Sequence, residues 1–390
     1  MRLPDRIWVP GLAALLLALV FVGALLVRAD RDPSVLVHAG PPWTSAEGAR
    51  GSLTVQDADA AFDGQFFYRI GLAPWSTAKT VDGVTFDLPS LRNARWGYGA
   101  LAWVASGGDP DLVPWALIGL NLVAAAAVGA IGGGLARSAD RHAAWGLLLF
   151  LWPGFAYSLS LDTSELVAAS FLLGALLALR HRRWVATGLL LCAAVLTRDT
   201  TTVVPFAVVL AGLWAGRGDD EVRRSALPQV LAGGTALAVF GGWQLLQRDR
   251  FGALPLSSSG DNNLTAPLSG LVDQLTKVVP PSGGTEAFRL LSILGLIALV
   301  AAAGWALWRT RRMWLDAERI AWLGAVAVVL LLNAYLWSGA TAFMRAATEA
   351  GLLSTLLLIR AAPRRLLVTA GIGLGGLWVL TVVAQLGKVG

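Results

Sequence analysis

The sequence predicts an all-α integral membrane protein of about eleven transmembrane helices, with a long first extracytoplasmic loop that carries amphipathic interfacial helices. Three observations lead there. Of 390 residues 56% are apolar and only 14% charged, and a mean hydropathy of +0.63 lies outside the range of water-soluble domains. Eleven apolar runs follow one another along the chain. Arginine is distributed unevenly between the segments that separate them.

A bilayer core of about 30 Å takes roughly 20 apolar residues as a helix, and fewer where a span is broken or its end is sheltered by protein. The runs fall near 7–27, 112–136, 143–160, 165–179, 184–197, 201–215, 226–246, 288–308, 320–337, 347–359 and 366–386. The fourth, fifth, sixth and tenth are short. The first ends in Arg28, Ala29, Asp30 and Arg31, a charged stop and not a small-residue cleavage site, so it is expected to remain as a span and not to act as a signal peptide. The whole chain, 1–390, is expected to be one polytopic domain with two long loops, 28–111 and 247–287.

With the N-terminus inside, the inner segments hold 17 Arg against 7 acidic residues, a local +10, while the remainder carries −4. The positive-inside rule chooses that orientation. Inner loops of about 4 to 11 residues leave no room for a phosphate-cradling strand-to-helix turn, so a cytoplasmic nucleotide site is excluded and the chemistry is expected outside. The same charge argument assigns the formal net +6 to orientation and not to nucleic-acid binding. Heavy use of Ala, Gly, Leu and Arg with three Lys suggests a GC-rich bacterial genome, hence the bacterial cytoplasmic membrane. One cysteine, Cys192, excludes a disulfide framework and a Cys-based zinc site. His38, His142 and His181 are scattered over both sides, so no His-based metal site is expected.

Two glycine patterns read as packing. Gly371, Gly373 and Gly376 form a G-x-G-x-x-G inside the last run, and Gly129 with Gly133 is a small-xxx-small pair; both predict close helix approach. Trp8, Trp184, Trp314 and Trp337 near span ends read as interfacial anchors.

The polar groups carry the functional reading. VQDADAAFDGQFFYRI, residues 55–70, sets Asp57, Asp59 and Asp63 beside Phe66, Phe67 and Tyr68. This suits a helix lying at the membrane surface, acids to water and aromatics to lipid, and it equally suits a carboxylate held against an apolar wall as a general base, with its pKa raised by burial. Gly64 favours Asp63, since glycine lets the backbone turn and expose its neighbour. LRNARWGYGALAW, residues 91–103, sets Arg92 and Arg95 one helical turn apart, either as a clamp for phosphate oxygens or as arginines meeting lipid headgroups. Asp162 and Glu165 in LDTSE, and Arg198 and Asp199 in LTRDT, lie at the outer ends of short spans. Ionisable groups there mark a functional cavity or pair with one another, Arg198 with Glu165. Arg345 and Glu349, one turn apart, form a helix pair or face the same cavity.

On FDGQFFYRI, LRNARWGYGALAW, PGFAYSLSLDTSE and LTRDTTTVVP, the sequence resembles the polyprenyl-phosphate-sugar-dependent glycosyltransferases of the C superfold (GT-C), specifically bacterial proteins related to the PIG-V-like mannosyltransferases. The motifs cover roughly residues 1–215 and the remainder agrees in hydropathy only. The resemblance implies a GT-C-like helical fold and an Asp in the first outer loop as catalytic base, matched best by Asp63, with Asp57 and Asp59 close enough to keep the assignment open. Tyr98 and glycines stand where the family often has a tyrosine or proline after its arginine pair.

The implied reaction is inverting transfer of a sugar, mannose or another hexose or pentose, from a polyprenyl-phosphate donor to a cell-envelope glycan, lipid or protein. It needs a base for the acceptor proton and cations for the departing phosphate. Asp63 is expected as the base, with Asp57, Asp59, Asp162 and Glu165 as further catalytic or positioning candidates. Arg92, Arg95, Arg198 and Arg345 are expected to bind donor phosphate, Arg95 and Arg198 foremost, and Tyr68, Tyr98 and Asp199 to line the cavity. No cofactor or metal is expected to be required. Competing readings are a lipid or glycan transporter or flippase, which would spread polar groups through the bilayer midplane, and a catalytically silent binder of a lipid-linked glycan.

Overall fold

The computed structural model describes residues 5–216, 220–258, 263–310 and 316–388; the side chains of Asp59 and of residues 220–223, and Trp314, lie outside the described part. Every one of the eleven apolar runs is helical. The first is α1 (Trp8–Arg28). The long first loop then folds into α2 (Gly64–Leu72), a small antiparallel hairpin of β1 (Thr80–Val81) and β2 (Val84–Thr85), and two consecutive helices, α3 (Pro89–Ala94) and α4 (Trp96–Ser106). The second run is α5 (Val113–Arg137).

The third run is broken. A 3-10 turn leads into α6 (Leu147–Phe150), and Pro153 then fixes the start of α7 (Gly154–Ser160) at 64° to the preceding segment, because proline cannot donate into the helical ladder and its ring crowds the preceding turn. Four further runs are α8 (Glu165–Arg180), α9 (Trp184–Thr197), α10 (Val203–Ala215) and α11 (Asp220–Phe251). The second long loop holds α12 (Pro255–Ser258) and α13 (Ser269–Val278), followed by α14 (Gly284–Arg309). The run near 320–337 divides into α15 (Ala317–Leu330) and α16 (Ala334–Trp337). The tenth run is preceded by α17 (Ala340–Ala346), set at 60° to α18 (Thr348–Ala361), and α19 (Arg364–Leu386) closes the described chain.

By length and composition five of these helices cross a membrane, α1, α5, α11, α14 and α19, or seven if each bent pair is one span. The chain is accordingly a mostly helical multi-pass membrane protein. Helices α8, α9, α10 and α15, of 16, 14, 13 and 14 residues, reach only about 20 to 24 Å at 1.5 Å per residue, which is why the full expected number of eleven is not met by that criterion.

The bundle is built on pairs of small-residue faces. Gly129 and Gly133 of α5 lie directly on Pro10 of α1 and on Ile7 just before it, where a Cβ on Gly129 would stand 2.4 Å from the Pro10 carbonyl oxygen. The glycine motif of α19 behaves otherwise: Gly371 touches Leu148, but Gly373 and Gly376 face open space. The two breaks meet each other, as the Trp152 indole donates to the Met344 carbonyl at 3.2 Å. Irregular backbone at membrane depth is tolerated because it is buried against protein. Trp337 is part of this packing, stacked on Phe343 at 5.0 Å and buried, and so is no interfacial anchor; Trp8 is exposed.

The first loop departs from the expected surface helices. Helix α2 is buried on every side over Gly64–Gly71, with Phe66 against Phe86 and Phe67 edge-on to Tyr98 at 5.2 Å. Its aromatics face protein and not lipid. Arg69 shows how the hairpin covers it: the guanidinium donates to the carbonyls of Ala78, Lys79 and Val84 and lies 3.8 Å from the Phe86 ring centroid. A buried charge is tolerable when its donors are satisfied in this way.

Candidate functional site

Four junctions converge at one end of the bundle: the turn before α2, the α7–α8 turn, the α9–α10 junction and the α17–α18 break. Two glycines permit the convergence. A Cβ on Gly64 would stand 2.4 Å from the Val37 carbonyl oxygen and 2.6 Å from that of Leu161. Gly64 is the first residue of a helix, so its role is close approach and not the backbone turn expected of it. A Cβ on Gly97 would stand 2.5 Å from the Thr197 hydroxyl, which brings the α3–α4 segment onto the α9–α10 junction.

At the centre is Asp63, the residue before α2. An Asp in this position ordinarily caps the helix, but its side chain makes no cap bond. Oδ1 instead accepts from Arg92 Nη1 at 2.8 Å and Oδ2 from Arg345 Nη2 at 2.9 Å. Burial by itself would push the carboxyl up; Arg92, Arg345 and Arg95 outweigh it and hold Asp63 well below the usual carboxylate range. The expectation of a raised pKa is thereby reversed, since nearby opposite charge competes with desolvation and here prevails.

From Asp63 an alternating chain of charges runs inward. Arg345 Nε donates to Glu165 Oε1 at 2.8 Å, and Arg198 Nη1 donates to the same oxygen at 2.7 Å. Arg198 Nε reaches Glu349 at 3.1 Å and the Thr200 hydroxyl at 2.8 Å, and its Nη2 donates to the Arg345 carbonyl at 2.7 Å. Ser158 donates to Glu165 Oε2 at 3.1 Å. The Arg198–Glu165 pair is therefore present as expected. Arg345 and Glu349 do not pair with each other; the break at Ala347 turns them onto different partners in one network.

Toward the opening, Asp87 holds Arg92 through two bonds, 2.7 Å to Nε and 2.6 Å to Nη2, and Arg92 and Arg345 lie over the rings of Phe66 and Phe62 at 4.2 and 4.8 Å. Arg95 donates through Nε to Asp199 at 3.2 Å. The two loop arginines do not form the expected single-faced clamp, because α3 ends at Ala94 and Arg95 is the hinge to α4. Among the described residues the terminal amino groups of Arg95 meet no acceptor, whereas every nitrogen of Arg198 has one. Side-chain exposure follows the same order: 24% for Asp63, 20% for Arg92 and 23% for Arg95, against 4% for Arg198 and 0% for Glu165. Access from outside is thus open at Arg92 and Arg95 and closed at Arg198.

The remaining sequence candidates are placed elsewhere. Asp57 is exposed and begins a 3-10 turn that continues through the backbone of Asp59; the Asp59 side chain is outside the described part. Asp162 is fully buried with a left-handed backbone, φ 44°, and neither carboxylate oxygen has a described hydrogen-bond partner. Burial pushes its pKa well above the usual value, and among the described residues it makes no ion pair with the network. Tyr68 donates to Asp82 at 2.8 Å, on the hairpin. Tyr98 donates to the Leu117 carbonyl at 2.9 Å and accepts from Asn121 at 2.7 Å. Both tyrosines are buried and neither hydroxyl reaches Asp63. Asp87 and Thr200 were not anticipated. Asp87, five residues before Arg92 and two before the proline that starts α3, carried a local signal; Thr200 did not. Among the described residues no group of three or more His, Cys, Asp or Glu could hold a metal ion.

No protein-family model matches the sequence, and no curated relative matches it. A solved structure of the Archaeoglobus fulgidus oligosaccharyltransferase in the apo form is similar over 96% of this chain at 13% identity and a TM-score of 0.44. The chain spans 56% of that protein's length, and a likeness of this strength does not assign an activity.

Proposed function

We propose that this protein is a membrane glycosyltransferase of the GT-C type that moves a sugar, mannose or another hexose or pentose, from a polyprenyl-phosphate donor to a cell-envelope glycan, lipid or protein at the extracytoplasmic face. The observation that carries the reading is Asp63 itself: a partly open carboxylate gripped by two arginines where the first loop meets both broken helices. The acceptor hydroxyl oxygen attacks the anomeric carbon, its proton passes to an Asp63 oxygen, and the carbon–oxygen bond to phosphate breaks, so that polyprenyl phosphate leaves with the bonding pair. One displacement inverts the anomeric centre. Arg92 and Arg95 compensate the phosphate charge as it leaves, and with arginine in that role no metal is required.

While Arg92 and Arg345 hold it, Asp63 is a weak base. A donor phosphate that draws Arg92 toward itself loosens that grip and raises the basicity of Asp63, so that the base becomes competent when the donor is present. The inner network of Glu165, Arg198 and Glu349 positions Arg345 and touches no substrate.

A second reading has an observation of its own. Each of Arg92, Arg95, Arg198 and Arg345 already faces a carboxylate, which favours a catalytically silent binder whose ion pairs are purely structural. Asp63→Asn separates the two. It preserves shape and one of the two arginine bonds, since only the amide oxygen of Asn accepts, so in lipid nanodiscs supplied with a synthetic polyprenyl-phosphate mannose and a glycan acceptor it should fold and bind donor while release of polyprenyl phosphate falls about 10² to 10⁴-fold. Transfer at the wild-type rate would remove Asp63 from the chemistry. No transfer by wild type with several sugars and acceptors, alongside intact donor binding, would establish the silent binder.

A further inference from the structure

At the other end of the bundle, helices α14 and α19 diverge around a groove of about 570 Å³, within the size range of small-molecule sites. Ala301, Ala302 and Trp305 of α14 form one wall, Leu366 lies on the other, and Arg365 with Thr369 stands on the polar side. Both helices are among the five long enough to span, so the apolar part of the groove opens toward lipid. Arg365 is twenty residues from Gln385, which accepts a hydrogen bond from Ser160 beside the candidate site. At 1.5 Å per residue the groove is about 30 Å from that site.

The local charges are unbalanced in one direction. Arg364 and Arg365 occupy the first turn of α19, which carries no acidic residue, although the helix dipole disfavours cations there and favours an anion. Arg309, in the last turn of α14, lies 4.9 Å from the Trp305 ring centroid. Asp316 and Glu318, at this end, are already engaged: Asp316 with Arg360 at 2.7 Å, and Glu318 with Arg180 at 2.6 Å and Arg360 at 3.2 Å. Among the described residues no carboxylate pairs with Arg309, Arg364 or Arg365.

We propose that this groove is a binding site for one anionic phospholipid, its phosphate held between Arg365, Arg364 and Arg309 and an acyl chain laid along Ala301, Ala302 and Leu366. The occupant is a lipid and not a free anion because the greater part of the lining is apolar and lies on two spanning helices, and it is anionic because Arg365 lines the groove while Arg364 and Arg309, likewise without an acid partner among the described residues, stand at the adjoining helix ends. Basic clefts between membrane helices bind such headgroups, each arginine contributing a factor of roughly five in affinity.

The test is native mass spectrometry of the full chain released from nanodiscs of equimolar phosphatidylglycerol and phosphatidylcholine. Wild type should retain phosphatidylglycerol about tenfold over phosphatidylcholine. The Arg364→Gln/Arg365→Gln double variant should lose that retention about tenfold or more, and Ala302→Trp, which fills the groove without altering charge, should lose it comparably. Arg182→Gln, an exposed arginine on a loop elsewhere, should retain lipid as wild type does. Equal retention of the two lipids by wild type, unchanged retention in both groove variants, an equal loss in Arg182→Gln, or stripping of the lipid by millimolar inorganic phosphate would each overturn the proposal. If the double variant does not fold, Ala302→Trp and the phosphate competition decide it.

Discussion

The ion pairs around Asp63 and those around Glu165 use the same two residue types at nearly the same distances, yet they sit in different surroundings. Arg198 reaches Glu165 at 2.7 Å with both side chains almost wholly buried; Arg92 reaches Asp63 at 2.8 Å with each about a fifth to a quarter exposed. In the inner set every donor nitrogen of Arg198 is taken, so no ligand can enter without breaking a buried pair. At the rim Arg95 keeps donors to spare. Distance alone therefore does not separate a structural pair from a ligand site; remaining access and unused donors do.

Breaking the inner set should have the largest effect on stability. Arg198→Met leaves Glu165 buried with Arg345 alone and Glu349 with Thr200 in place of a cation, and should cost about 3 to 5 kcal/mol, read as loss of monodisperse protein or a large fall in the thermal midpoint in detergent. A small shift would mean that the inner carboxylates reorganise and that the contrast with the rim is false.

Lysine substitution sharpens the comparison. Arg95→Lys keeps the charge but loses the planar fork, and should weaken donor binding about tenfold with an unchanged thermal midpoint. Arg198→Lys should do the opposite, lowering the midpoint while leaving the affinity of the protein that remains folded. Titration of both variants with a polyprenyl-phosphate analogue checks this, and the reverse pattern would move the phosphate site inward.

The pH dependence is the smallest effect. Asp63 has a folded-state pKa below its unfolded value of about 3.9, so its ion pairs contribute stability above the unfolded pKa, and that contribution is lost as pH falls through the folded one. The difference in thermal midpoint between wild type and Asp63→Asn should stay constant from pH 8 to 5 and narrow only below about pH 4. Narrowing already at pH 6 would show that burial, and not the two arginines, governs this carboxyl.

The helices and one of the ion pairs were legible along the chain for local reasons. Each apolar run is long enough to signal a helix by itself, and Glu165 and Arg198 are opposite charges standing at the same end of successive short runs. The role of Asp63 as a candidate was legible through its glycine and aromatics, although the direction of its pKa was not, because Arg345 lies 282 residues away in sequence. Arg92 and Arg95 read as a pair on one helix face; the hinge at Arg95 separates them, and that hinge depends on Gly97 meeting the α9–α10 junction. The burial of α2 was hidden for a similar reason, since its polar flank is covered by a hairpin too short to have a hydropathy pattern.

By itself the sequence determined that this protein is helical, spans a membrane several times and gathers its ionisable groups at the ends of apolar runs, because transfer of side chains out of water is a local property that sums along the chain. Only the tertiary structure decided which arginine faces which carboxylate, that Asp63 joins the network, and which guanidinium nitrogens stay open. Those choices rest on approaches of a few ångströms between segments distant in sequence, and electrostatic energies change steeply over that range.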